Sequence, residues 1–339
     1  MRARKRPPVI ADVAERAGVS AMTVSRVLNG FPGVADGTRT RVEQAVADLG
    51  YRANVAARTL AGGRSRTLGV VGVETPYYGP SHTLFAIEAA AHTAGQAVHL
   101  VTLERTDPEE MRASLERLRD SHIDGVIVLA PIRAAVDAVI AVHPEVPHVI
   151  VSADPSAGRA TVAIDQETGA RLATRHLLEL GHTTVHHVRG PRNWIDASAR
   201  AAGWRRELQE RGRPLGRSLN GDWSPRAGYE AGRRLAAADD VTAVFAANDQ
   251  MALGVLLAMH EAGRAVPDEV SVVGFDDTPE SGFYTPPLTT VRQDLREVGR
   301  RAVELVLSIV AGEALEQHLA VPPELVVRRT TAAPPPARP

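Results

Sequence analysis

Two sets of residues carry types that could do chemistry. The first lies in "AGVSAMTVSRVLNG" at 17–30, where Ala21, Met22, Ser25, Arg26 and Asn29 fall on one helical face and Val24, Val27 and Leu28 on the other. The Arg26 fork can bond O6 and N7 of a guanine, whereas Ala21 and Met22 offer only apolar contact, for instance to a thymine methyl. Ser20 and Thr23, at the start of the same helix, are further candidate DNA contacts. The second set is a series of polar residues that follow short apolar runs: Asp154, Gly190-Pro191-Arg192, Asn248-Asp249 and Asp276-Asp277, with Trp223 in "NGDWSP". Carboxylate, amide and guanidinium bond the vicinal hydroxyls of a sugar, and a flat indole covers its C–H face.

Several of these residues have plainer readings. Asp249 opens "QMALGVLLAMHEAG" and reads as a helix N-cap rather than a ligand contact. Asp277 with Thr278-Pro279 can fix a turn, and Trp204 in "AAGWRREL" reads as core packing. His182 and His186 are four apart but span a turn and a strand, so they share no helical face and no metal site is expected. No G-x-S-x-G elbow, Walker A loop or H-E-x-x-H occurs, and Gly69-Val70-Val71-Gly72 is not a dinucleotide fingerprint. Neither catalysis nor a cofactor is expected.

The elements that must position these residues differ along the chain. Ile10, Val13, Ala14 and Ala17 form an amphipathic stripe, Gly18 stands where a left-handed residue ends a helix, and Ser20 can cap the next one. A third stripe, Val42, Ala45, Val46 and Leu49, precedes Gly50-Tyr51. Two short helices joined by a three-residue turn, with a third completing the core, make a helix-turn-helix domain. Beyond Gly62-Gly63-Arg64-Ser65 the pattern changes to apolar runs alternating with helical stretches. "LGVVGV" (68–73), "AVHLVT" (97–102), "GVIVL" (125–129) and "HVIV" (148–151) form one set. "TVAI" (161–164), "TTVHHV" (183–188), "AVFAA" (243–247) and "SVVGF" (271–275) form a second, with a short strand near 217–221. Such alternation implies βαβ units and parallel sheets, with ligands beyond the carboxyl ends of the strands.

Charge separates the same two parts. Residues 1–66 carry a net +7 and the remainder –8, within a chain whose overall charge is –1. A basic head on an acidic body suits a polyanion-binding module joined to something else. The 339 residues, 44% hydrophobic, can bury ample core. There is no run of eighteen apolar residues, no signal-peptide pattern and no cysteine, so a cytoplasmic protein without a membrane partner is expected.

"ADVAERAGVSAMTVSRVLNG" and "TRTRVEQAVADLGYRANVAARTLAGGRS" resemble the DNA-binding head of the lactose-repressor/galactose-repressor family of bacterial transcriptional regulators. "GDWS", "ANDQMALG" and "SVVGFDDTPESGFYTPPLTTVRQD" are similar to that family's effector-binding body, so the resemblance covers almost the whole chain. It implies an N-terminal all-α helix-turn-helix domain followed by an α/β bilobed body of the periplasmic-binding-protein-like type I, with two parallel-sheet lobes. The expected divisions are a basic arm (1–8), the DNA-binding domain (9–51), a hinge helix and linker (52–65), the body (66–330) and a disordered tail (331–339). Within the body, lobe 1 is expected over about 66–160 plus 293–320, and lobe 2 over about 161–292 plus 321–330.

The resemblance further implies that a hinge helix over 54–61, including Asn54 and Ala57, orders on operator DNA while Leu60 wedges into the minor groove. Ala53 and Val9 depart from the family pattern, which has proline before the hinge and a capping Ser/Thr at the first helix. In the body it implies an effector site of Arg200, Trp223, Asn248, Asp276 and Asp154, with an apolar wall of Val73, Tyr77, Gly79 and Pro80. That wall, "VETPYYGP", carries aromatics where smaller residues are matched, and Leu129 replaces a polar cleft residue. Trp194 in "GPRNWIDASAR" either extends the site for a larger sugar or packs on the surface.

The expected protein is a repressor that binds a near-palindromic, double-stranded operator as a homodimer and is released by a sugar, a galactoside or another β-linked disaccharide. Cellobiose, or a ligand that promotes DNA binding, is the alternative. A transport protein would need a leader and no DNA-binding head. The proline-rich end "PPELVVRRTTAAPPPARP" lacks a leucine heptad, so a dimer is expected.

Overall fold

The computed structural model describes residues 8–28, 31–51, 64–313 (except 143) and 317–336. They fall into two units, Met1–Ser65 and Arg66–Pro339.

In the first unit, helices α1 (Ile10–Ala17), α2 (Ala21–Leu28) and α3 (Asp36–Leu49) enclose a core of Val13, Ala14, Ala17, Val24, Val27, Val42 and Ala45. Gly18 ends α1 at φ 68°, a left-handed conformation with little cost for glycine, and Val19 N–H donates to the Ala14 carbonyl at 3.0 Å. Ser20 caps α2, accepting from Thr23 N–H at 3.2 Å. Val9 provides no side-chain cap to α1, but Asp12 reaches back and accepts from Val9 N–H at 2.8 Å. The departure from the family pattern at Val9 is therefore half offset locally.

The second unit holds two six-stranded sheets, in the orders β11-β5-β4-β3-β1-β2 and β12-β10-β9-β8-β6-β7. The first contains β1 (Thr67–Val73), β2 (Ala97–Leu103), β3 (Gly125–Leu129), β4 (His148–Val151), β5 (Ala160–Ile164) and β11 (Gln317–Val321). The second contains β6 (His186–Arg189), β7 (Ser218–Asn220), β8 (Ala243–Ala246), β9 (Ser271–Asp276), β10 (Thr289–Arg292) and β12 (Glu324–Val326). All neighbouring strands are parallel except β10 and β12. Helices α4 (Tyr78–Thr93), α5 (Pro108–Asp120), α6 (Arg133–Val142), α7 (Gln166–Glu179), α8 (Ile195–Glu210), α9 (Pro225–Ala236), α10 (Asp249–Glu261) and α11 (Leu295–Ala311) accompany the sheets. Central strands such as β3, buried at all five positions, read as continuous apolar runs because both faces are covered.

Two expectations are corrected. The strand at 161–164 does not open the second lobe: β5 pairs with β4 and β11 in the first sheet. An apolar run shows that a strand is buried but carries no information on its neighbour. Three segments consequently join the lobes, after β5, after β10 and between β11 and β12. The chain beyond 330 is also not loose throughout. Ala332 N–H donates to Ser271 Oγ at 3.0 Å, its carbonyl lies 3.1 Å from His182 Nε2, and Thr331 Oγ1 lies 3.0 Å from His176 Nε2. Side chains of the second lobe hold the segment that composition alone marks as a tail.

Candidate DNA-reading face and effector cleft

In the head, α2 presents Ala21, Met22 and Arg26 to solvent, Met22 with 65% of its surface exposed. Ser20 and Thr23 engage one another, their hydroxyls 2.9 Å apart, so both belong to the cap before any contact outside the head. Ser25 lies half-buried beside Arg26. Asn29, Asn54, Ala57 and Leu60, with the whole expected hinge helix, lie outside the described residues.

In the body, the carboxyl ends of the strands converge on Arg200, which is 4% exposed. Its Nε donates to Gln166 Oε1 at 2.8 Å, and its Nη1 donates to the Ala247 carbonyl and lies 3.5 Å from Asp276 Oδ1. The guanidinium stacks 3.8 Å from the centroid of Phe275 and 5.4 Å from that of Trp223. Gln166 Nε2 donates to Gln293 Oε1 at 2.9 Å, and Gln293 Nε2 donates to Asp276 Oδ1 at 2.7 Å. Four buried side chains therefore close a ring. Gln166 and Gln293 stand on two of the three segments that join the lobes.

Burial dominates the electrostatics. It pushes the Asp276 carboxyl up to about 7, against the opposing pull of Arg200 and the Gln293 bond. Behind it Asp249 is raised well above the usual carboxylate range by burial and then by Asp276, although it accepts from Thr290 Oγ1 at 2.5 Å and Thr278 N–H at 2.9 Å. Asp276 and Asp277 adopt φ of 118° and 54°, a backbone held at a cost by this network. Asp277 fixes the following turn through Arg328, Arg292 and Ser281.

The structure redistributes several expected roles. Asn248, not Asp249, caps α10: its Oδ1 accepts from Met251 N–H at 2.9 Å. Its Nδ2 donates to the Trp223 carbonyl at 3.0 Å, so it positions Trp223. Asp154 pairs with Arg133 and accepts from Ser156 N–H at 2.9 Å and Ser156 Oγ at 2.7 Å. Burial raises its carboxyl, and the Ser156 and Arg133 bonds outweigh that, leaving it below its ordinary value. Trp204 is core packing, with Nε1 donating to the Val185 carbonyl at 2.8 Å. His182 places its ring nitrogens against Thr242, Ser271 and Ala332. No group of three or more possible metal ligands occurs among the described residues.

Trp194 resolves to the cleft, as part of a contact between the lobes. Arg133 N–H donates to the Asn193 carbonyl at 3.1 Å and Ile195 N–H to the Pro131 carbonyl at 3.0 Å, forming a bridge of Ile132 with Trp194. Its ring meets Tyr77 and Trp223 edge to face, at 5.4 Å and 5.6 Å. Tyr77 Oη donates to the Asp222 carbonyl at 3.0 Å, a third hydrogen bond across the cleft. Gly79 and Pro80 line a cavity with Leu129, Ile164, Leu295 and Val298, while Val73 lines a neighbouring one.

Sequence reasoning missed Gln166, Gln293 and Asp196, all lining the first cavity. Asp196 precedes Arg200 by one helical turn of α8, and burial raises its carboxyl. That i, i+4 spacing was a usable signal. Gln166 and Gln293 follow β5 and β10, a strand placed in the wrong sheet and one not read at all, so nothing marked their positions.

Comparison with known proteins accounts for this arrangement. The profile of bacterial regulatory proteins of the lacI family matches residues 9–54, and that of the periplasmic binding protein-like domain matches 174–331. The chain is 36% identical over 333 residues to the lactose operon repressor of Escherichia coli K12, covering 97% of this chain and 92% of that protein. The chain belongs to the lacI family. The HTH-type transcriptional repressor PurR of Haemophilus influenzae is 32% identical over 332 residues, covering 95% of this chain and 98% of that protein. The structure of the lac repressor dimer bound to operator and the anti-inducer ONPF superposes with a TM-score of 0.87 at 35% identity, covering 97% of this chain and all of that one. The CelR–cellobiose complex gives 0.69 at 31% identity, covering 95% and 99%. As a lacI-family member the chain is a DNA-binding regulator of transcription, with the helix-turn-helix head and two-lobed parallel-sheet body of that family.

Proposed function

We propose that this chain is a repressor that binds a near-palindromic operator as a dimer and is released when a sugar occupies the cleft between its lobes. The observation that carries the reading is the buried ring of Arg200, Gln166, Gln293 and Asp276 at the carboxyl ends of the second sheet, reached from two of the three lobe-joining segments. Its polar groups suit ring hydroxyls, and the wall of Gly79, Pro80, Leu129 and Leu295 suits an apolar face. A galactoside or other β-linked disaccharide is the effector this arrangement favours. Cellobiose is the second reading, supported by the Tyr77–Trp194–Trp223 cluster and by the likeness to the cellobiose complex.

Exposed Phe85 and Leu100 in lobe 1, with Leu253, Leu257 and Phe283 in lobe 2, supply apolar surface for a second copy. The protein acts in the cytoplasm, without catalysis. Fluorescence anisotropy of a fluorescent operator duplex, titrated with galactosides, cellobiose and other β-glucosides, tests the reading. Release by one of them is the expected result, and indifference to the whole panel would refute the sensor. Light scattering at micromolar concentration should give a dimer, and a tetramer would count against it.

A further inference from the structure

We infer that Phe31 is a positioning residue for Arg26, holding its guanidinium in the attitude from which it reads a guanine edge; the inference rests on the head being an operator-binding module. Arg26 lies in the last turn of α2, exposed, and forms no ion pair with a described residue. Its guanidinium carbon sits 5.7 Å from the centroid of the Phe31 ring. The main chain of Phe31 is fixed from two sides. Its N–H donates to the Arg26 carbonyl at 2.9 Å, and its carbonyl accepts from Arg39 Nη2, on α3, at 3.0 Å. Two helices of the head thus hold this residue beside α2, although 55% of its surface remains exposed.

A ring does for this arginine what a carboxylate could not. The negative face of the ring attracts the cation without occupying any of its five N–H donors. A carboxylate partner would engage the same fork that O6 and N7 of guanine require. Resting on the ring also restricts a long side chain before binding, so less rotamer freedom is lost on the DNA. Phe31 makes no base contact in this scheme and acts through Arg26.

The test uses the full-length protein and a duplex selected from a random-sequence pool, with anisotropy as the readout. Phe31→Leu and Phe31→Ala should each weaken binding about two- to fivefold per half-site, hence about four- to twenty-five-fold for a two-half-site duplex. Phe31→Tyr and Phe31→Trp should stay near wild type. Replacing the guanine that Arg26 reads by 7-deazaguanine should penalise wild type more than Phe31→Leu, a difference that a merely structural role would not produce. In an Arg26→Ala background the Phe31 substitutions should have no further effect. Equal affinity of Phe31→Leu and wild type, or the same loss with Arg26 absent, would overturn the inference. A selection that returns no preferred duplex would instead remove the operator reading on which it rests.

Discussion

The Asp276 carboxyl makes the cleft a proton-sensitive element, and its sign can be worked out. Its value is about 7 in the folded protein against an ordinary 3.8, with burial as the main cause. A raised carboxyl means that the folded state holds a proton the unfolded chain has released, so between 3.8 and about 7 stability falls as pH rises. At pH 5 the retained proton favours folding by about 2.7 kcal/mol, and at pH 8 by almost nothing, using about 1.36 kcal/mol per unit. Asp276→Asn removes this titration while keeping the shape and a group able to meet Gln293. The variant leaves Arg200 without its carboxylate at every pH in the window, a constant cost. Relative to wild type, the variant should therefore gain about 2–3 kcal/mol between pH 5 and pH 8. Relief of Asp249, which Asp276 also raises, acts in the same direction. Urea denaturation of both proteins at pH 5, 6, 7 and 8 measures the difference directly. A difference that stays flat, or that moves against the variant as pH rises, would refute the assignment of a desolvated carboxylate to this site.

Three further outcomes follow from separate features. Gln293→Ala opens the ring and should abolish or strongly weaken sugar-dependent release in the anisotropy assay, while operator affinity without sugar stays within about twofold. Glu207 accepts from Arg171, Arg175 and Arg211, and although burial raises its carboxyl, these bonds bring it down to about 2. Its contribution is present above the ordinary 4.5 and lost as pH falls toward 2, so Glu207→Gln should cost about 3 kcal/mol in chemical denaturation at pH 7 and little at pH 2. Gly254 lies where α10 crosses α9 so closely that a Cβ would meet the Pro225 carbonyl oxygen at 1.9 Å. Gly254→Ala should lower the melting temperature, by about 3 kcal/mol of stability or more, and an unchanged calorimetric transition would show that the crossing is loose.

Periodicity made the helices of the head and nearly every buried strand of the body legible. The stripe Ile10, Val13, Ala14, Ala17 and the run Gly125-Val126-Ile127-Val128-Leu129 report burial directly, and burial is what the pattern encodes. Pairing is not encoded in the same way, which is why β5 was assigned to the wrong lobe. Trp223 and Asp276 stand out because charge or a large ring after an apolar run is conspicuous, whereas Arg200 lies inside a helix and only the family resemblance points to it. Asn248 caps a helix in the structure, a task the sequence does not separate from ligand binding, because an amide that caps a helix and one that bonds a hydroxyl look the same in sequence. Gln166 and Gln293 were silent: neutral amides beside strand ends gain meaning only when 127 positions of separation close to 2.9 Å.

That closure bears on how a small ligand could change the whole body. Were the effector bound only by groups within one lobe, its occupancy would favour no lobe arrangement over another, and no release would follow. Here Gln166 and Gln293 belong to the connections themselves, and each also bonds a charged group of the second lobe, Arg200 or Asp276. A hydroxyl that takes a bond from Arg200 or Asp276 must therefore redistribute the bonds of both connecting segments. On the other side of the cleft, Tyr77 with Asp222 and Ile132 with Trp194 hold the lobes at a second line. A ligand that acts on either of these two lines discriminates between lobe arrangements. Because linkage is reciprocal, whichever line carries the coupling will also set how much the operator weakens the sugar. Removing Tyr77 Oη (Tyr77→Phe) and Gln293 separately, and together, then shows by non-additivity whether the two lines act as one.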